Sequence, residues 1–414
     1  MERLTLQMLL CFVSLTAAAQ EVYDFDLTKP QPMYSQETGY GYDLLEAPTA
    51  KSTEPFYFSV RVPDGNYKVR VVLGAKKRAA ETTVRAENRR LMVHNCATKK
   101  GQTATYEFVV NKRSPRIDDK TRVRIKDREK DYLTWDEKLT LEFNGDAPAV
   151  QSIHIEPDNV CPTIYLCGNS TVVDQRFEPW ASWGQMFPRW WNENVAISNH
   201  AESGLTARTF LAGGRLDKIL TTLKKGDIVI CEFGHNDEKE HRPGDGAWYH
   251  YVYQLKIFID NVRAKEADII FCTPTQRRTF DKDRQHLRNS HGDFPAAMRQ
   301  VAQREGVPVI DLNGLTKTFF ETLGFEGSKR ALVHYPLGTW PGQDRKLEDD
   351  THFNPFGAYE VAKMVVTAMK QLHLPITQNL RAEFTDFDPA QPDDPDTFKW
   401  VPARAYEIAK PDGN

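Results

Sequence analysis

Residues 163–171 read Thr163-Ile164-Tyr165-Leu166-Cys167-Gly168-Asn169-Ser170-Thr171, an apolar run that stops at a glycine and is followed at once by a polar serine. After Pro162, the short apolar run Ile164–Cys167 is a strand candidate. Four similar runs follow, Val195–Ser198, Asp227–Phe233, Ile269–Thr273 and Val307–Leu312. The stretches Leu216–Leu223, Tyr249–Arg263, Ala296–Arg304 and Ala358–Leu372 carry apolar residues at helical spacing. Alternating strands and helices predict an α/β unit with a parallel sheet covered on both faces. Functional residues are then expected at the strand C-termini.

Upstream of Pro162 the pattern is different. From about Val22 to about Ile155, short β-prone runs alternate with turn residues and no helical period competes, which predicts a β-sandwich. Phe56–Val62 and Tyr67–Val72 flank Pro63-Asp64-Gly65-Asn66, a hairpin signal. Further strands are expected at Ala104–Val110, Leu139–Phe143 and Val150–Ile155.

The first residues, Met1-Glu2-Arg3, an apolar stretch from Leu4 to Leu15 and then Thr16-Ala17-Ala18-Ala19, have the form of a secretory signal cleaved after Ala19. Leu10 stands before Cys11 where a lipobox needs a small residue, so lipidation is not expected. The expected organisation is a signal peptide over 1–19, a sandwich over 20–158, the α/β domain over 159–375 and a surface-packing extension over 376–414. In that extension Phe398–Pro402 is a candidate edge segment. A secreted or periplasmic protein follows from this reading.

Composition narrows the partners. A net charge of -3 over 414 residues gives no basic field for nucleic acid. No segment after the leader approaches the roughly 20 apolar residues of a membrane span. Cleavage would leave Cys96, Cys161, Cys167, Cys231 and Cys272, an odd number, so at least one is not paired within the chain. An extended run separates Cys161 from Cys167 by about 20 Å, beyond disulfide reach. Oligomeric state is left open.

Four places in the α/β part carry chemistry. Ser170 lands at a strand-to-helix junction, where a nucleophile is exposed at the sheet edge, although an N-capping serine fits the same position. Gly204 follows the second run, and its N–H can face a developing oxyanion or merely make a turn. Asn236 follows the third run and offers an amide to the same region. Asp349-Asp350-Thr351-His352 precedes the last helix, in an expected loop. The D-x-x-H spacing lets Asp349 meet the ring Nδ1–H while Nε2 takes a proton from a serine; Asp350 is then structural.

Other groupings are weaker. His235, Asp237, His241 and His250 are near in sequence but match no structural zinc pattern, so neither metal nor cofactor is expected. Trp180, Trp183, Trp190 and Trp191 suit a core, with Trp180, beside Pro179, the exception that suits sugar stacking.

Taken in order, Gly168-Asn169-Ser170, Gly204, Gly234-His235-Asn236-Asp237 and Asp349-x-x-His352 resemble the four blocks of SGNH (GDSL-like) hydrolases. Ser203-Gly204-Leu205-Thr206-Ala207-Arg208 and Asp349-Asp350-Thr351-His352 resemble the rhamnogalacturonan acetylesterases among them. The resemblance implies a flavodoxin-like three-layer αβα domain with Ser170 as nucleophile, His352 as base and Asp349 orienting it. Ser170 N–H, Gly204 N–H and Asn236 would form the oxyanion hole. It implies an acetylated polysaccharide as substrate, with Arg208, Trp180 and His235 as candidate contacts and Arg208 suited to a galacturonate carboxylate or to an internal salt bridge. Asn169 stands where the commoner block has Asp, which changes local charge while keeping the shape. The N-terminal part resembles the galactose-binding-like sandwiches that precede some such esterases. Alternatives are another SGNH carbohydrate esterase, an arylesterase or lipase, and a glycan-binding protein with an inert hydrolase domain.

Overall fold

A computed structural model describes residues 21–49 and 52–412. The signal-peptide reading and Cys11 lie outside the described residues. Before Pro162 come β1 (Tyr23–Asp26), β2 (Tyr40–Asp43), β3 (Phe56–Arg61), β4 (Gly65–Leu73), β5 (Ala80–Ala86), β6 (Arg90–Thr98), β7 (Ala104–Lys112), β8 (Lys138–Ala147) and β9 (Val150–Pro157). They form two antiparallel sheets, ordered β1-β9-β4-β7 and β2-β3-β8-β5-β6. Tyr67, Val69, Val71 and Leu73 of β4 point inward in alternation and meet Phe58, Leu141 and Phe143 of the other sheet.

One strand pairing differs from expectation. Phe56–Arg61 pairs with β2 and β8, while Gly65–Leu73 pairs with β7 and β9, so the two runs flanking Pro63 are not a hairpin. The turn is a corner between sheets. Both runs bury their apolar faces in the space between the sheets, which a flat hairpin would leave half covered.

After Pro162 the sheet is parallel: β10 (Thr163–Gly168), β11 (Ala196–Asn199), β12 (Ile228–Glu232), β13 (Asp268–Cys272) and β14 (Val309–Ile310), in the order β11-β10-β12-β13-β14. This is the flavodoxin-like order, whose chain direction switches beside the first strand. Every residue of β10 is buried because both faces are covered. Ile164 and Leu166 enter one core with Trp183, Phe319, Val361 and Val365; Tyr165 and Cys167 enter the other with Phe210, Phe258, Ile259 and Val301.

A two-stranded antiparallel hairpin, β15 (Leu332–Tyr335) with β16 (Leu347–Phe353), follows the parallel sheet and leads through Asn354 into helix Pro355–Gln371. Asp349 and His352 therefore lie on an irregular strand and not in an open loop, a correction to the expectation. Between the pairs Leu332↔Phe353 and His334↔Glu348 the ladder shifts register, and residues 349–352 bulge out of it.

The two halves meet through buried charge. Arg90, the first residue of β6, reaches Asp174 at 2.7 Å, and Arg89, in the turn before it, reaches Glu178 at 2.6 Å, all four side chains buried. Glu178 Oε1 also accepts from Trp400 Nε1 at 3.0 Å and from the Ala403 N–H at 3.1 Å, so the C-terminal extension docks on the same joint. It docks mainly by side chains, with two isolated bridges, Glu178 to Tyr406 and Trp191 to Leu380. Cys96, Cys161, Cys167, Cys231 and Cys272 are buried and form no disulfide. Among the described residues no helix is long and apolar enough to cross a membrane.

Candidate active site

Parallel register brings the chemistry-bearing turns to one sheet edge. Leu166 of β10 faces Asn199 of β11, and Gly168 faces Glu232 of β12, so the chain leaves β10 and β12 at one level and β11 two residues earlier, all at the same sheet edge. Ser170 follows β10 by two residues, Gly204 follows β11 and Asn236 follows β12. Two bonds tie the later turns together: Asp237 Oδ1 accepts the Ala207 N–H at 2.8 Å, and Asn236 Nδ2 donates to Leu205 O at 3.1 Å.

Ser170, His352 and Asp349 form a continuous hydrogen-bonded chain. Ser170 Oγ lies 2.9 Å from His352 Nε2, and His352 Nδ1–H donates to Asp349 Oδ2 at 2.9 Å. The bulge explains how four residues manage this. Asp349 Oδ1 accepts the backbone N–H of Thr351 at 2.8 Å and of His352 at 2.9 Å, folding the carboxylate back toward the ring. Adjacent Asp350 points elsewhere, to Arg278 at 3.0 Å and His334 at 2.9 Å. Such a chain can take a serine proton onto imidazole and hold the tautomer that accepts it.

The charges are set by burial and partners. Burial pushes the Asp349 carboxyl up, but the His352 ring, its backbone N–H and Lys410 at 3.4 Å outweigh this and hold it well below the usual range. Burial pushes Asp237 up to about 7 despite the N–H groups of Ala207 and Gly234. Asn169, in place of the commoner Asp, uses its Oδ1 to accept from the Thr171 N–H at 3.1 Å, which an amide does as well as a carboxylate. The Ser170 turn is fixed from the far side: the Ser170 carbonyl accepts from Ser182 Oγ at 2.6 Å and Gln175 Nε2 at 3.0 Å.

Three expected sugar contacts are placed differently. Arg208 is paired with Asp245 and, at 3.2 Å, with Glu240, which is the internal salt bridge weighed from the sequence. Trp180 is 3% exposed, and its ring stands edge-on to His352 at 5.6 Å while Nε1 donates to Glu407 O. It supports the imidazole and offers no stacking face to solvent. His235 is buried against Thr275 and His291, and burial holds its imidazole well below the usual value.

Sequence reasoning passed over Glu232. It ends β12, fully buried, and accepts from Trp183 Nε1, from Thr171 Oγ1 at 2.8 Å and from the Thr275 N–H at 3.2 Å, so it joins the first and third turns behind the serine. A lone carboxylate closing the apolar run Ile228-Val229-Ile230-Cys231 was the available signal.

Comparison with known proteins gives this geometry a family. The model of the GDSL-like lipase/acylhydrolase family matches residues 166–358, which span all four turns. Rhamnogalacturonan acetylesterase RhgT of Bacillus subtilis (strain 168) is 37% identical over 219 residues, 52% of this chain and 93% of that one. Probable rhamnogalacturonan acetylesterase YesY of the same organism is 31% identical over 225 residues, 53% and 98% of the two chains. The uncharacterized esterase YxiM, also from that organism, is 26% identical over 405 residues, 88% and 96%, so this likeness extends into the antiparallel sheets. The chain belongs to the GDSL-like lipase/acylhydrolase family.

Proposed function

We propose that this protein is an extracytoplasmic serine esterase that removes O-acetyl groups from a pectic polysaccharide, with rhamnogalacturonan as its substrate. The observation that carries the reading is the chain from Ser170 Oγ through His352 to Asp349, at 2.9 Å for each link. Ser170 Oγ attacks the acetyl carbonyl as its proton passes to His352 Nε2, and Asp349 holds the imidazolium that results. The N–H groups of Ser170 and Gly204 and the Asn236 amide stabilise the oxyanion. Collapse breaks the ester bond, His352 returns the proton to the departing sugar hydroxyl, and acetyl-Ser170 remains. Water then attacks the acyl group by the same steps, releasing acetate and restoring the serine.

The substrate reading draws on the names of two relatives, both called rhamnogalacturonan acetylesterases, one of them as probable. Location outside the cytoplasm draws on the leader-like pattern of residues 1–19. The division into a galactose-binding-like sandwich over 20–158, a hydrolase over 159–375 and an extension over 376–414 draws on the change from antiparallel to parallel pairing near Pro162. Acetate release from acetylated rhamnogalacturonan is expected to exceed release from acetylated xylan. The opposite order would overturn the substrate while leaving the serine mechanism standing.

A further inference from the structure

The connection between β7 and β8 leaves the sandwich and runs to the turn that carries Gly204. Its middle is a short 3-10 helix, Asp127–Asp131, closed at its start where the Lys126 N–H donates to Glu129 Oε2 at 2.8 Å. Glu129 is fully buried, accepts from Trp135 Nε1 at 2.9 Å and pairs with Arg215 at 2.6 Å. Arg215 in turn donates to His200 O at 3.0 Å, just past β11. A buried, fully bonded pair resists displacement, because separating its charges away from water is costly. The short helix is therefore a fixed platform.

From that platform two cations reach one atom. Lys126 Nζ donates to Ser203 O at 2.6 Å, and Arg128 Nη2 donates to the same oxygen at 3.0 Å. Arg128 Nε also holds Glu202 Oε1 at 3.0 Å, and Asp412 lies 3.1 Å from Lys126 and 2.9 Å from Arg128. The Ser203 carbonyl and the Gly204 N–H belong to a single peptide plane and point away from each other across it. Fixing the oxygen fixes the direction of the N–H. Gly204 takes φ +78, a conformation open to glycine, so nothing in its own side chain restrains this peptide. Cations on the carbonyl oxygen also draw density through the amide and make its N–H a stronger donor.

We propose that Lys126 and Arg128 are positioning residues for ester hydrolysis: by clamping the Ser203 carbonyl they aim and polarise the Gly204 N–H toward the oxyanion. The inference rests on Gly204 being an oxyanion donor, as read above. It gives the antiparallel part of the chain a share in turnover without requiring that it touch substrate. Because the negative charge appears only in the transition state, loss of the clamp acts on kcat and spares KM.

The test uses the full chain and p-nitrophenyl acetate, with kcat and KM measured for Lys126→Ala, Arg128→Ala, their combination, Lys126→Arg and Arg128→Lys. Removing one oxyanion donor outright costs about 10²–10³ in kcat, so misaiming it is expected to cost about 10-fold for each alanine and about 10² for the pair. KM should stay within about 2-fold, and the charge-keeping variants should return kcat to within about 3-fold of the parent. If the double variant does not fold, Lys126→Gln, at a side chain 31% exposed, carries the test through its kcat alone. Parental kcat in a folded double variant or in Lys126→Gln, or a loss seen only in KM and melting temperature, overturns the clamp. Ser170→Ala run in parallel separates the failures: if it stays active, the reaction itself has been misread, whereas inert Ser170→Ala beside an unimpaired double variant removes the clamp alone.

Discussion

Ser170 and His352 share one hydrogen bond, and each is useless to the proposed reaction without the other. Ser170→Ala and His352→Ala should each lower kcat by on the order of 10⁴ or more, and the double substitution should add little. Kinetics that multiply the two losses would show that they act separately. Asn236→Ala should cost about 10²–10³, the scale of one oxyanion donor. Asp349→Asn should cripple turnover while Asp350→Asn, at a residue held by Arg278 and His334, should leave kcat close to the parent. The reverse result would exchange their roles.

Asp349 also fixes a pH dependence. Its folded carboxyl is held below the ordinary value of 3.8, so the stabilisation is complete above that value and is lost as pH falls through it toward the folded value. The melting penalty of Asp349→Asn should therefore be full at neutral pH and shrink in acid, since acid removes from the parent a charge that Asn never had. A penalty that grows between pH about 5 and about 3 would contradict the sign. At this scale the D-x-x-H spacing and the strand-end serine were legible in the sequence, because both depend on short-range geometry. Glu232, Lys126 and Arg128 were not, because their partners are set by register and by a long connection.

Elements explain which readings failed. The turn at Pro63 has hairpin chemistry, yet its flanking strands join different sheets, because turn residues constrain direction locally and packing between sheets decides the partner. The parallel strands were legible because burial on both faces leaves short continuous apolar runs. β14 is shorter than its apolar run, and β16 carries residues expected in a loop, since a bulged strand has no period to read. The start of β6 makes the clearest energetic prediction at this scale. Arg90→Met leaves Asp174 buried without its cation and should destabilise the chain by about 3–5 kcal/mol, measured by urea unfolding. Asp174→Asn placed in the same chain should recover part of that loss, and a neutral Arg90→Met would mean that the joint contributes nothing.

Across the whole molecule the sandwich, the hydrolase layers and the C-terminal extension share buried charges at Glu178, Asp174 and Glu129. Sequence patterns revealed two architectures but not this joint, since ionic partners such as Arg90 with Asp174, 84 residues apart, and Glu129 with Arg215, 86 apart, leave no local signature. A chain starting near Val160 should lose turnover of small esters as well as polymer, because Asp174, Glu178 and Arg215 lose their partners and Ser203 its clamp. Full small-ester turnover by that shortened chain would limit the sandwich to polymer binding. The central claim, that Ser170 is the nucleophile, is tested most directly by covalent labelling. The purified protein is treated with a fluorophosphonate and digested, and the adduct is located by mass spectrometry. The account predicts one stoichiometric adduct on Ser170 that appears in step with loss of esterase activity and is absent from His352→Ala under the same conditions. Complete inactivation with Ser170 unmodified, or with the label on another serine, would contradict it.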